Sequence, residues 1–170
     1  MNTTTVKLHS FDYRQAGTYV AAALFILGNI VFPQLCHLVP GGGRILLPIY
    51  LFTLIGAYKY GWKVGLLTAV ASPVVNYLIF GMPMLSSLPS ILFKSVVLAL
   101  AAGWAAAHFK KISLLIVTGV VLFYQVTGTA FEWLLTGSLF TALQDFRMGI
   151  AGMVLQIFGC WAIIKYVIRG

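Results

Sequence analysis

The sequence predicts an all-α integral membrane protein: a compact bundle of six transmembrane helices with the N and C termini cytoplasmic. Three observations carry this prediction. Of 170 residues, 61% are hydrophobic and 8% are charged, whereas soluble domains carry roughly 25% charged residues. A water-soluble globule of this size has too little interior to hide that much apolar surface. The apolar residues also gather in continuous runs, and the helix-breaking or charged clusters Pro40-Gly41-Gly42-Gly43, Gly81-Met82-Pro83 and Lys110-Lys111 fall between them. Finally, the cations divide unevenly between alternate connections.

The first run covers residues 16–39. It is too long for the apolar core of a cleavable signal peptide and has no small-residue cleavage site. Pro33 removes an N–H and kinks its outer part. With Pro40 and three glycines behind it, the connection that follows reads either as a hinged lid or as a tight turn. The second run, 45–58, is the short one. Its fourteen residues give about 21 Å of helix against a hydrocarbon core of roughly 30 Å. The remaining runs are 64–80, 90–109, 112–135 and 148–168. All are expected to be helices, because lipid forces each backbone N–H and C=O to find its partner within the segment. Continuous apolarity also lacks the alternation of a β-barrel.

Charge decides whether the second run crosses. With six crossings and the N terminus inside, Lys7, Arg14, Lys59, Lys63, Lys110, Lys111, Lys165 and Arg169 lie on the cytoplasmic side, and Arg44, Lys94 and Arg147 outside. Eight against three obeys the positive-inside rule; without that crossing the split becomes four against seven. The chain reads as one domain, residues 1–170, with no repeat between its halves, which disfavours an inverted-repeat transporter. Scattered cations give no phosphate-binding stripe, so no nucleic-acid partner is expected. Cys36 and Cys160 fall at different depths, and no disulfide is expected. No two of His9, His37 and His108 share a depth, and only three acidic residues are present. An enzyme, a metal site and a cofactor are therefore not expected.

Polar side chains in lipid are expensive, so their depth is informative. Asn29 lies mid-membrane in the first run and Asn76 near the outer end of the third. Lys94 is one turn into the fourth from outside, Gln125 is mid-membrane in the fifth, and Glu132 is near its outer end. Arg44 and Arg147 sit in outer connections. The inner half holds little beyond Gln15, Thr53 and Thr68. This asymmetry predicts a polar cavity opening outward over a closed apolar floor. Lys94 reads either as a ligand contact or as a snorkelling side chain. Glu132 has the same two readings and a third, a structural ion pair with Lys94. Asn29 and Gln125 read either as interhelical hydrogen bonds or as ligand contacts. Tyr77 and Trp133 join this layer, as an interfacial aromatic belt or as rings beside a planar ligand. Small residues at four-residue spacing, Ala99-Gly103-Ala107 and Gly17-Ala21, mark faces where backbones approach closely.

Residues 47–89 carry a family resemblance. Leu47-Pro48 opens the second helix; Gly56, Gly61 and Gly65 space an aromatic turn; Pro73 sits centrally in the third helix; Gly81-Met82-Pro83 follows. In this order the motifs resemble the substrate-binding S component of energy-coupling factor (ECF) transporters, prokaryotic vitamin importers. The resemblance implies capture of a vitamin or vitamin precursor in an outward cavity closed by the loop after helix 1. It also implies docking on a transmembrane T component driven by two ATPase subunits, with Gly17 and Ala21 nearest to the family's docking alanines. Many relatives carry His where Tyr50 stands. The chain has no phosphate-binding Gly-x-x-x-x-Gly-Lys run, so ATP hydrolysis falls to partners. The expected binding residues are Lys94, Glu132, Asn76, Gln125, Arg44, Arg147, Tyr77, Trp133 and Asn29. The expected location is the cell membrane of a prokaryote, in contact with lipid. A non-transporting accessory or assembly subunit, and a solitary oligomeric carrier, are the competing readings.

Overall fold

In a computed structural model the chain is an all-α membrane protein. The structure describes residues 8–38 and 41–168, apart from the side chains of Arg44 and Asp145. Among the described residues, five helices are long and apolar enough to cross a membrane. They are α1 (Ala16–His37), α4 (Trp62–Phe80), α5 (Leu88–Phe109), α6 (Leu114–Thr136) and the stretch Ile150–Val167. That last stretch is an α-helix (Ile150–Ala162, α8) ending in one wider π turn (Ile163–Val167).

The second expected span is different. Residues 42–60 divide into α2 (Gly42–Leu46), a single 3-10 turn (Pro48–Tyr50) and α3 (Leu51–Tyr60). The break falls at Leu47, whose φ of 45° and ψ of 47° lie in the left-handed region that side chains other than glycine rarely adopt. Pro48 disfavours the right-handed helical conformation at Leu47, so the helix stops there, and Gln156 Nε2, 3.4 Å from Leu47 O, holds the resulting turn. Of the six expected spans, five are thus long helices among the described residues, and the second, expected to be short, is a broken segment whose helix α3 is held inside the bundle. Leu54, Ile55, Ala57 and Tyr58 of α3 have no exposure at all. Packing by α1, α4, α5 and α8 holds a ten-residue helix that propensity alone could not sustain.

Backbone hydrogen bonds fix where α3 ends. His9 N–H donates to Lys59 O (2.8 Å) and Phe11 N–H to Tyr60 O (3.1 Å), so α3 finishes beside the segment that enters α1. Tyr58 donates to Lys111 O (2.7 Å), which brings the α5–α6 turn to this same basal end. The opposite, distal end holds α2, the loop 81–87 and α7 (Leu139–Met148), an additional amphipathic helix inside a stretch expected to be only a connection. Leu139, Phe140, Leu143 and Arg147 of α7 are exposed.

Close backbone approach follows from glycine at two helix crossings. A Cβ on Gly65 would stand 2.4 Å from Ala57 Cβ, and one on Gly103 only 2.8 Å from the Trp62 backbone N. Small residues allow such contact in lipid. Ala99 and Gly103 are accordingly buried within the bundle, while Ala107 is exposed. Beneath the distal end lies a solid apolar layer of Leu54, Ile55, Tyr58, Leu98, Ala102 and Val121. Cys36 and Cys160 are both free buried thiols.

Candidate functional site

Because α3 and its preceding turn are too short to fill the bundle from end to end, the distal half keeps a cavity of about 460 Å³. Leu47, Pro48, Ile49 and Tyr50, the residues at the break, form one wall. Pro33, Gln34, His37 and Gly41, from the kinked end of α1 and its connection, form another. Met82, Pro83 and Met84 of the loop after α4 also border it, and Asn76, Ser87, Ser90, Ile91, Lys94 and Glu132 complete the lining.

Its charged feature is an ion pair. Lys94 Nζ lies 2.8 Å from Glu132 Oε2, with the lysine side chain 2% and the glutamate 16% exposed. Of the two readings of Lys94, snorkelling to water does not describe its burial. The lysine can cross from α5 to α6 because Gly128 has no side chain: a Cβ there would stand 2.3 Å from Lys94 Cγ. Phe93 and Phe131, the neighbours in sequence of the paired residues, stack with centroids 4.0 Å apart. At the rim, His37 Nδ1 lies 2.6 Å from Pro33 O. A carbonyl only accepts, so Nδ1 carries the proton.

A second polar node sits beneath Asn76. Asn29 Nδ2 donates to Thr53 Oγ1 (2.9 Å) and Ser72 Oγ (3.1 Å). Asn76 Nδ2 donates to the carbonyl oxygens of Asn29 and Ser72, both at 2.9 Å. These bonds tie α1, α3 and α4 together at mid-depth, where no water competes. A third contact supports the break itself. Tyr124 donates to Gln156 Oε1 (2.8 Å), and Gln156 Nε2 reaches Leu47 O (3.4 Å).

The expected binding residues therefore separate. Lys94, Glu132 and Asn76 line the cavity together. Asn29 lies behind it as an interhelical tie and is not in the lining. Gln125 is fully buried between helices, with neither amide atom hydrogen-bonded among the described residues, and also lies outside the lining. Tyr77 is half-buried away from the lining, and Trp133 is 47% exposed. Arg147 lines a separate depression with Phe140, Leu143, Gln144 and Met148. The side chain of Arg44 lies outside the described residues. Of the expected docking pair, Gly17 is exposed and Ala21 is buried against Val64, Phe11 and Tyr60.

Sequence reasoning missed Ser87, Ser90 and Gly128. A signal was present: Ser87, Ser90 and Lys94 share one face of α5, and Gln125, Gly128 and Glu132 share one face of α6, at three- and four-residue spacing. Comparison with protein-family models, curated proteins and solved structures finds no match to this chain.

Proposed function

We propose that this protein is the substrate-capture subunit of an ECF-type importer, binding a small vitamin or vitamin precursor in the distal cavity. The observation that carries this reading is the cavity itself: a space of about 460 Å³, walled by apolar side chains, with Lys94, Glu132 and Asn76 converging on it. Concave, mostly apolar sites with a few placed polar groups are the usual form of small-molecule pockets. The basal layer of buried apolar residues leaves no continuous pore, so release on the other side requires the protein to move against a partner.

In this proposal the chain passes six times through the cell membrane of a prokaryote, with α3 as the short pass and both termini in the cytoplasm. Two facts support that orientation. The end of α3 is hydrogen-bonded to the segment that enters α1, and the basal end gathers Arg14, Lys59, Lys63, Lys110, Lys111 and Lys165. The partners are a transmembrane T component and two ATPase subunits, with the exposed Gly17 on the basal part of α1 marking the candidate docking region and Ala21, buried in the bundle, not part of it. Gly41, just after α1, borders the cavity. An accessory subunit with no ligand accounts for the cavity less well than a capture subunit does.

A thermal-shift screen of vitamins and precursors on the purified full chain tests the reading. A ligand at one hundred times its Kd stabilises by about 2.7 kcal/mol. That raises the unfolding midpoint by roughly 5–10 °C in a protein of this size. Ser90→Phe, which fills the cavity, abolishes the shift, and affinity purification from native membranes brings down the T component and ATPases. A screen with no stabilising compound, or a shift that survives both Ser90→Phe and Lys94→Ala, overturns the assignment.

A further inference from the structure

We propose that the cargo of the distal cavity is uncharged at neutral pH: a small ring compound with an amide- or ureide-type edge, donor and acceptor side by side. This rests on the capture reading and narrows it. Among the described side chains, the two ionised groups on the wall, Lys94 and Glu132, already neutralise each other at 2.8 Å. An anionic cargo at Lys94 either displaces the Glu132 carboxylate, which then loses its counter-ion, or crowds in as a second negative charge beside it. A cationic cargo takes Glu132 and strips it from a lysine side chain that is 2% exposed. Removing one partner of such a pair is strongly unfavourable, whereas an uncharged cargo leaves the pair intact. His37 and Tyr50 are the other titratable groups on the wall, and the His37 Nδ1 is already used by Pro33 O.

The donor–acceptor edge follows from Asn76 and the serines. Asn76 Nδ2 donates to two backbone carbonyls, so flipping the amide would set oxygen against two oxygens. Its Oδ1 is therefore locked as an acceptor, is buried, and has no hydrogen-bond donor among the described residues. Asn76 lines the cavity, and a cargo N–H that presses into this wall meets that requirement. Ser87 and Ser90 lie on the Lys94 face of α5 and line the same cavity, and their hydroxyls can turn to donate to a cargo carbonyl. Pro33, Leu47, Pro48, Ile49 and Met82 supply apolar wall suited to a ring.

The test uses triads that share one ring and differ in charge: nicotinamide, nicotinate and 3-(aminomethyl)pyridine; uracil, orotate and 5-(aminomethyl)uracil. A biotin triad completes the panel, with biotinamide beside biotin and its primary amine. Each compound is titrated calorimetrically against the purified full chain. In at least one triad the uncharged member binds about tenfold or more tighter than either charged twin. In Glu132→Gln, which leaves Lys94 without that counter-charge, the carboxylate twin gains about tenfold relative to the uncharged one. A charged twin that binds best to the unaltered protein overturns the inference and leaves the capture reading standing. Binding by no member of any triad overturns the inference as well, and the vitamin screen then decides separately on capture. The wild-type ranking stands as a test even if Glu132→Gln does not fold.

Discussion

Gly128→Ala isolates the feature on which the site is built. An alanine in a helix interior ordinarily gains about 0.5–1 kcal/mol over glycine. Here the added Cβ would stand 2.3 Å from Lys94 Cγ, 2.9 Å from Cε and 3.0 Å from Cδ. Carbon atoms pack at about 3.5–4.0 Å, so the lysine stem or a helix must yield by more than about 1 Å. Cγ is close to the α5 backbone and cannot swing away as the tip of a long side chain can. Overpacking of this kind costs about 1–3 kcal/mol. If Nζ withdraws from Glu132, the broken buried pair raises the loss towards about 3–5 kcal/mol. Either exceeds the helix gain. At about 2–4 °C per kcal/mol, the unfolding midpoint should fall by several degrees. Gly119→Ala on the same helix is the control: nothing lies within 4 Å of its Cβ, so it should be neutral or gain up to about 1 kcal/mol. A double-mutant cycle assigns the cause, because in Lys94→Ala the obstacle is gone and Gly128→Ala should lose most of its penalty. The reasoning fails if Gly128→Ala is as harmless as Gly119→Ala, or if its penalty is the same with and without Lys94.

Three further outcomes follow from the same contacts. Glu132→Ala should destabilise by about 3–5 kcal/mol, because it removes the counter-charge of a buried ammonium, while the joint change Lys94→Met with Glu132→Leu should cost much less; thermal unfolding of the three variants checks this. Gln125→Leu should be neutral or stabilising by about 1–2 kcal/mol, since both amide atoms are buried without a partner among the described residues; a loss of midpoint would show that the amide has one. Asp12, outside the membrane spans, is held below its ordinary pKa of 3.8 by hydrogen bonds from Lys63 and the Tyr13 N–H. A carboxylate with a depressed folded pKa contributes above its unfolded pKa and loses that contribution as pH falls through the folded one. Amide exchange at His9 and Phe11, whose N–H groups bond to α3, should therefore quicken only below about pH 4, and Asp12→Asn should remove that pH dependence.

The sequence alone determined that this is a helical membrane protein and where its long apolar helices run, because lipid imposes one solution on any long apolar segment. It also identified Lys94, Glu132 and Asn76, since polar groups in lipid are too costly to sit there without a partner. The second segment was legible as short, and Leu47-Pro48 was visible as a start signal. That α2 packs closely on α8 depends on Gly152: a Cβ there would stand 2.5 Å from Leu46 O, 106 positions earlier in the chain. The amphipathic α7 was hidden because its apolar residues sit beside polar ones and give no continuous run. Only the tertiary structure decided which polar residues share a space. Helix faces are readable from spacing, but the rotation of each helix about its axis is set by its packing against several others at once. That rotation turns Lys94, Glu132 and Asn76 onto one cavity, while Gln125 lies between helices and Arg147 belongs to a separate depression.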